Sequence, residues 1–220
     1  DAVIGATPLI RDRFAAVGAQ AEVVHNYPIL EELDIGPVEW STRSRQALYV
    51  GGITRIRGAL EMMKAAQHCD AKWVIAGPIE AAIKGQLEAA QGEHFQLAGY
   101  LDRPQVAAAL RQSMVGLCIL HPTLNYIDSM PIKLFEYMAA GIPVVASDFP
   151  FWRELVGDSD AAVFVDPLDP KAIGTAIQSL LDDPKRAQAM GKRGQALVRT
   201  HCNWQAEQRV LISLYERLLS

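Results

Sequence analysis

Eight short apolar runs punctuate this chain of 220 residues: AVIGA (2–6), EVVHN (22–26), ALYVG (47–51), KWVIA (72–76), HFQLA (94–98), VGLCIL (115–120), PVVAS (143–147) and AAVFV (161–165). Their apolar character is nearly continuous instead of alternating. That is the pattern of strands covered on both faces, hence of a parallel sheet. Between them, 8–17, 55–68, 79–91, 104–113, 131–140, 150–156 and 170–182 read as helices. In 55–68, Ile56, Leu60 and Met63 recur at helical spacing and predict one buried face. From residue 45 onward the order is βαβαβα, which predicts a doubly wound α/β domain with helices on both faces of the sheet. After residue 170 helices take over, ending in an amphipathic segment that Asn203 caps, with Val210, Leu211, Leu214 and Leu218 on one side.

The punctuation agrees. Asp102 before Pro104, Asp169 before Pro170 and Asp183 before Pro184 place a capping carboxylate at a helix start, with Pro in the first turn. Gly141 stands where a helix C′ residue belongs. Residues 1–44 differ: two strands and one helix, then the turn-rich stretch NYPILEELDIGPVEWSTRS. So few elements enclose no core of their own. They read as the closing βα unit of a neighbouring domain plus a linker, with 45–220 as the main domain.

Composition narrows the function. A net charge of −4 argues against a nucleic-acid binder, which needs a basic face. No apolar run approaches the roughly 20 residues of a membrane span. Cys69, Cys118 and Cys202 are odd in number and widely spaced, which points to reduced thiols in a cytosolic setting. The chain opens at Asp1 and enters an apolar run at once, so it reads as a piece of a longer protein. The histidines are scattered, with no pair at metal-ligand spacing, and no metal is expected. His121 ends a strand on the ligand side but reads as a loop residue, and Phe149 and Trp152 read as packing. No G-x-S-x-G elbow is present.

Ligands of open α/β sheets sit beyond the carboxyl ends of the strands, and two stretches there carry chemistry. In YVGGITRIRG (49–58), Gly51 and Gly52 follow a strand and precede a helix bearing Arg55 and Arg57. Glycines let a ligand approach the backbone, and a helix start favours phosphate. A plain strand-to-helix turn with two solvated arginines accounts equally well for this stretch alone. It is neither a G-x-G-x-x-G fingerprint nor a Walker A loop, and no acidic residue follows the second strand, which speaks against a nicotinamide enzyme. In SMPIKLFEYMAAGIPVVASDFP (129–150), Lys133 and Glu136 share one face near a helix start. An isolated i,i+3 ion pair is one explanation. The other is that Lys133 neutralises phosphate while Glu136 accepts from sugar hydroxyls, with Asp128 as a second acceptor.

The run PIKLFEYMAAGIPVVASD, with Asp128 before it and YVGGITRIRG upstream, resembles the C-terminal half of retaining GT-B glycosyltransferases of family four. It is most similar to the bacterial polysaccharide-building subgroup, where P-x-K-L-F-E-Y-M-A-x-G-x-P-V recurs. LAGYLDRPQVAAALRQSMVGLCIL (97–120) is similar to the family's central segment, and VVHNYP (23–28) to the end of its N-terminal domain. The resemblance implies one Rossmann-like half of a GT-B fold, transfer from a UDP- or GDP-sugar with retention, and no cofactor or metal. It implies a saccharide or lipid-linked acceptor held by the N-terminal domain, and a full-length enzyme in the cytoplasm or at the inner face of its membrane. By the same resemblance Glu136 would bind ribose, Asp128 the donor sugar, and Arg57 and Lys133 the diphosphate. Tyr100 and Leu101 would hold the base, while the backbone at Gly51, Gly52, Met130 and Ile132 would border the phosphates. Three positions depart from the family pattern: Gly52 stands where many members carry Arg, Pro131 where many carry Gly, and Asp128 where the pattern has Glu. A binding or regulatory module of the same fold without chemistry is the alternative.

Overall fold

The computed structural model describes residues 1–33 and 35–219; Asp34 of the linker and Ser220 lie outside the described residues. All eight expected strands form: β1 (Val3–Gly5), β2 (Ala21–Val23), β3 (Gln46–Val50), β4 (Lys72–Ala76), β5 (Phe95–Gly99), β6 (Val115–Cys118), β7 (Val144–Ser147) and β8 (Ala162–Val165). The last six make one sheet in the order β5-β4-β3-β6-β7-β8, and every pairing is parallel. β1 and β2 form a separate two-stranded parallel sheet.

The helices are α1 (Pro8–Ala15), α2 (Leu30–Leu33), α3 (Ala59–Ala65), α4 (Ala81–Ala89), α5 (Arg103–Gln112), α6 (Leu124–Ile127), α7 (Ile132–Ala139), α8 (Pro150–Val156), α9 (Pro170–Asp182), α10 (Pro184–Thr200) and α11 (Trp204–Leu219). One face of the large sheet is covered by α3, α4 and α9 through residues such as Met62, Ile83 and Ile177. The other is covered by α5, α7 and α8 through Leu110, Phe135 and Trp152. Both layers hold a tryptophan with no exposed surface, Trp73 and Trp152, and burying a large apolar side chain is worth roughly 1.5–3 kcal/mol. The three predicted aspartate caps are present: Asp102 accepts from Gln105 N–H at 2.9 Å, Asp169 from Lys171 N–H at 2.9 Å and Asp183 from Arg186 N–H at 2.9 Å. Gly141 follows α7 in the left-handed region, φ 70°.

One expected helix is broken. Residues 55–68 are a 3-10 turn (Arg55–Arg57), a left-handed Gly58, then α3 and a second 3-10 turn (Ala66–His68). Gly58 sits at φ 67°, where an added Cβ would lie 2.5 Å from the Ile119 side chain, so the chain bends here and only glycine fits the bend. The bend lifts Ile56 out of the predicted apolar face: it is 46% exposed, Leu60 is buried, and Met63 is only partly buried, its place in the core taken by Met62.

The linker is less free than its composition suggests. Leu33 and Ile35 are buried in the α5/α7 layer. Arg43, 7% exposed, donates to the carbonyls of Leu110 (2.7 Å), Ser113 (2.8 Å) and Ala140 (2.7 Å). Burial without a carboxylate pulls its pKa down to about 10. By contrast α1 buries no residue, and Ile4, Leu9, Phe14 and Val17 are exposed. The chain's last helix returns to this small unit. Glu207 of α11 accepts from His25 N–H at 2.6 Å and faces His25 Nδ1 at 3.1 Å, Trp204 N–H donates to Pro28 O at 3.0 Å, and Arg217 pairs with Glu22 at 2.9 Å. The predicted apolar side of α11 is only partly used: Leu214 is buried, whereas Val210 and Leu218 are 37% and 38% exposed.

Candidate functional site

In a doubly wound sheet the ligand crevice lies at the carboxyl ends of the strands where the strand order reverses. Here that point falls between β3 and β6. Beyond their ends opens a cleft of about 380 Å³ bordered by Arg57, Lys133, Glu136 and the turn Met130–Ile132.

The cleft's main wall is the start of α7, held in place from below. Gly116 of β6 has no side chain because the Tyr137 ring occupies its space: an added Cβ would lie 2.3 Å from Tyr137 Cγ. The Tyr137 hydroxyl accepts from Val50 N–H at 3.1 Å at the end of β3. α7 is thus pinned to both central strands. Pro131 at its N-cap offers no capping side chain, and Leu134 N–H donates to Pro131 O at 3.1 Å. The N–H groups of Ile132 and Lys133, which border the cleft, are left without a side-chain cap, as an anion would require.

Two cations lie beside that helix start. Arg57 Nε donates to the Tyr126 hydroxyl at 3.3 Å; that bond raises the guanidinium pKa against the opposing effect of burial. Lys133 Nζ lies 5.5 Å from the centre of the Tyr49 ring. The Tyr49 hydroxyl in turn donates to Gly52 O at 2.7 Å. Gly51 and Gly52 act here by leaving room. A Cβ on Gly51 would lie 2.9 Å from Lys133 Nζ, and one on Gly52 3.1 Å from Arg57 Nη1. Cys118 borders the cleft from beneath; burial pushes its thiol up to about 12, so it is a neutral wall and no nucleophile.

Glu136 does not take the i,i+3 partner: its Oε1 faces Arg103 Nη1 at 3.3 Å, and Arg103 Nη2 faces Glu32 Oε2 at 3.3 Å. Asp128 ends α6 and lines an adjoining cleft of about 360 Å³ against Thr7 and Arg13 of the small unit. Asp128 and Glu136 therefore serve different clefts, which share Asn26, Ser129 and Met130. Tyr100, 81% exposed, and Leu101 precede α5 and are not among the residues lining the main cleft. Arg55 is exposed, its backbone N–H donates to Glu80 at 2.9 Å, and it is not among the residues that line the cleft with Arg57.

Several contributors escape a sequence reading. Tyr126 sits on the four-residue α6, too short to show periodicity. Tyr49, on a buried strand, looks like plain core. Trp152 packs as expected, edge-on to Phe149 at 4.8 Å, but its Nε1 also donates to Ser129 O at 2.7 Å and so fixes the turn before α7. His121 is drawn away from the cleft: its Nε2 lies 3.0 Å from Glu61 Oε2 and its N–H donates to Ile56 O at 2.9 Å, which anchors the Arg57 turn. Among the described residues no group of His, Cys, Asp and Glu is arranged to hold a metal ion.

Fold and cleft together define a doubly wound, Rossmann-like α/β domain with a cleft lined by Arg57, Lys133 and Glu136 at its switch point. A sequence model of the glycosyl transferases group 1 family matches residues 32–197, and the chain belongs to that family. It is 31% identical over 124 residues to a phosphatidyl-myo-inositol mannosyltransferase of Mycobacterium leprae (strain TN), a match covering 56% of this chain and 32% of that protein. The chain thus spans about a third of that relative's length. Among solved structures it is similar to sucrose-phosphate synthase from Thermosynechococcus elongatus, with a TM-score of 0.77, 23% identity, and coverage of 100% of this chain and 58% of that one. It is also similar to Anabaena Alr3699/HepE in complex with UDP-glucose, with a TM-score of 0.80, 14% identity, and coverage of 98% and 64%. At these identities the structural likeness speaks for the fold.

Proposed function

We propose that this chain is the donor-binding half of a retaining glycosyltransferase that moves a sugar from a nucleoside diphosphate to an acceptor hydroxyl. The observation that carries this reading is the meeting of Arg57, Lys133, Glu136 and the uncapped start of α7 around one cleft at the switch point. In sugar transfer the charge that develops is on the departing diphosphate. Fixed cations and helix N–H groups stabilise it without reorganising at the moment of reaction. Arg57, oriented by Tyr126, and Lys133, held over Tyr49, take that role. Glu136 accepts from the ribose hydroxyls; Tyr100 and Leu101, which do not line the main cleft, are assigned to the base by the family resemblance alone.

Residues 1–44 are, in this reading, the closing βα unit of the acceptor domain and its linker, and 45–220 the donor domain. Asp128 then sits on the seam, in the cleft between α6 and the small unit, where a donor sugar would meet its acceptor. The acceptor is a saccharide or a lipid-linked saccharide, in keeping with a role in cell-surface polysaccharide synthesis at the cytoplasmic face of a membrane. No described helix is long and apolar enough to cross one; peripheral association of the whole enzyme is part of this reading.

The test is a thermal-shift screen of UDP, GDP and ADP against the wild type and Glu136→Ala. A ligand that binds the folded state alone raises the midpoint with its occupancy. A shift with at least one nucleotide, mostly lost in the variant, is expected; no shift with any of the three removes the proposal. The chain by itself is expected to bind donor without transferring sugar, since the acceptor domain is represented here by one βα unit.

A further inference from the structure

Arg103 lies in the family-like 97–120 segment without an assigned role, and among the described residues it makes an ion pair with Glu136 at 3.3 Å. Glu136 forms the partition between two spaces: the main cleft, and a smaller one of about 270 Å³ that Arg103 and Glu32 also line. Arg103 lines only the smaller one, so it approaches the carboxylate from behind and leaves the main-cleft side open. Its other nitrogen faces Glu32 of α2, in the linker. One guanidinium therefore joins the helix bearing the hydroxyl acceptor to the segment connecting the two units.

We propose that Arg103 is a positioning residue for Glu136: held from the linker by Glu32, it fixes the carboxylate toward the main cleft and so sets recognition of the ribose hydroxyls. This rests on the donor-site reading above. A carboxylate accepts through two oxygens with about four lone-pair positions. One guanidinium contact leaves capacity for a ribose diol while removing the side-chain freedom that binding would otherwise have to freeze. Arg103 is 59% exposed at its side chain, so replacing it removes no core packing.

The test compares UDP with 2′-deoxy-UDP, and GDP with 2′-deoxy-GDP, by calorimetry on the whole chain. A charge-assisted hydrogen bond is worth about tenfold or more in affinity, so the wild type should prefer the ribonucleotide by about that factor. Arg103→Ala should cut the preference to about threefold or less, Arg103→Lys should restore part of it, and Glu32→Gln should lie between wild type and Arg103→Ala. In Glu136→Ala the preference should be absent, and adding Arg103→Ala should change nothing further. A loss of general stability would lower binding of both sugars equally and would not move this ratio. If the wild type discriminates and Arg103→Ala discriminates equally, the positioning role is wrong while the donor site stands. If the wild type binds nucleotide without any ribose preference, Glu136 is not the ribose acceptor and the inference falls. If it binds no nucleotide, both readings fall together.

Discussion

Arg57 and Tyr126 are 69 positions apart in the chain, and a hydrogen bond of 3.3 Å between guanidinium and phenol joins them at the mouth of the cleft. The aim of the cation is thus set by a different loop from the one that carries it. Tyr126→Phe should weaken UDP or GDP binding by about three- to tenfold, and Arg57→Ala by about ten- to a hundredfold. Calorimetry with the diphosphate and the bare nucleoside checks the origin of the loss, because the nucleoside should bind both variants as it binds the wild type. Unchanged diphosphate affinity in Tyr126→Phe would mean that Arg57 is aimed by something else.

Trp152→Phe keeps most of the buried ring and deletes the N–H that holds Ser129 O at 2.7 Å. The carbonyl then loses its partner, which costs about 1–3 kcal/mol. Urea unfolding should show that drop, with a parallel loss of nucleotide affinity as the Ser129–Met130 turn loosens. A stability loss with unchanged affinity would confine Trp152 to packing.

Gly116→Ala should be among the most damaging single methyl additions in the large sheet. The new Cβ would meet the Tyr137 ring at 2.3 Å, and Gly116 is buried. Overpacking of this kind costs about 1–3 kcal/mol and sometimes more. Tyr137→Phe probes the same joint from the other side by leaving Val50 N–H without its acceptor, a cost of about 1–3 kcal/mol. Thermal midpoints of both variants below the wild type are expected; an unaffected Gly116→Ala would show that α7 has slack at this contact.

Stability should fall with rising pH above 9. The unfolded Cys118 thiol ionises near its ordinary value of 9.0, whereas burial holds the folded one protonated until about 12. In that window the unfolded state binds fewer protons, so its free energy drops relative to the folded state by about 1.4 kcal/mol per pH unit for this thiol. Cys69 and Cys202 are shifted in the same direction by burial and add to the slope. Denaturant titrations between pH 9 and 10, before the buried tyrosines contribute, should give a shallower slope for Cys118→Ser than for the wild type. Equal slopes would mean the thiol titrates normally in the fold.

What could be read beforehand follows the range of the physical signal. All eight strands were legible because apolar runs mark them locally, but the expected burial on both faces holds for β6 and β7 and fails for β1, β2 and the edge strand β5, which are largely half-buried or exposed. The aspartate-proline helix starts were legible because a cap is a contact three residues long. Lys133 and Glu136 were legible as site candidates because a helix start on a sheet's ligand edge confines both. Their actual partners were not: Tyr49 and Arg103 come from other elements, and i,i+3 spacing suggested the wrong pair. The broken helix at 55–68 hid for a related reason. The break falls at Gly58, where Ile119, 61 residues on, fills the space a Cβ would take. Likewise Asp128 looked like a companion of Glu136 along the chain, and only the path of α6 sends it to the adjoining cleft.

The return of α11 to β2 has a consequence for handling the molecule. Glu207, Trp204 and Arg217 clasp residues 22–28 from the far end of the chain, so peptide-bond scission within the 29–44 stretch would not set the first 28 residues adrift. A nicked sample should migrate as one particle in a native gel and split into two bands only in detergent, whereas in a chain trimmed of its terminal helix the same nick should release the small unit.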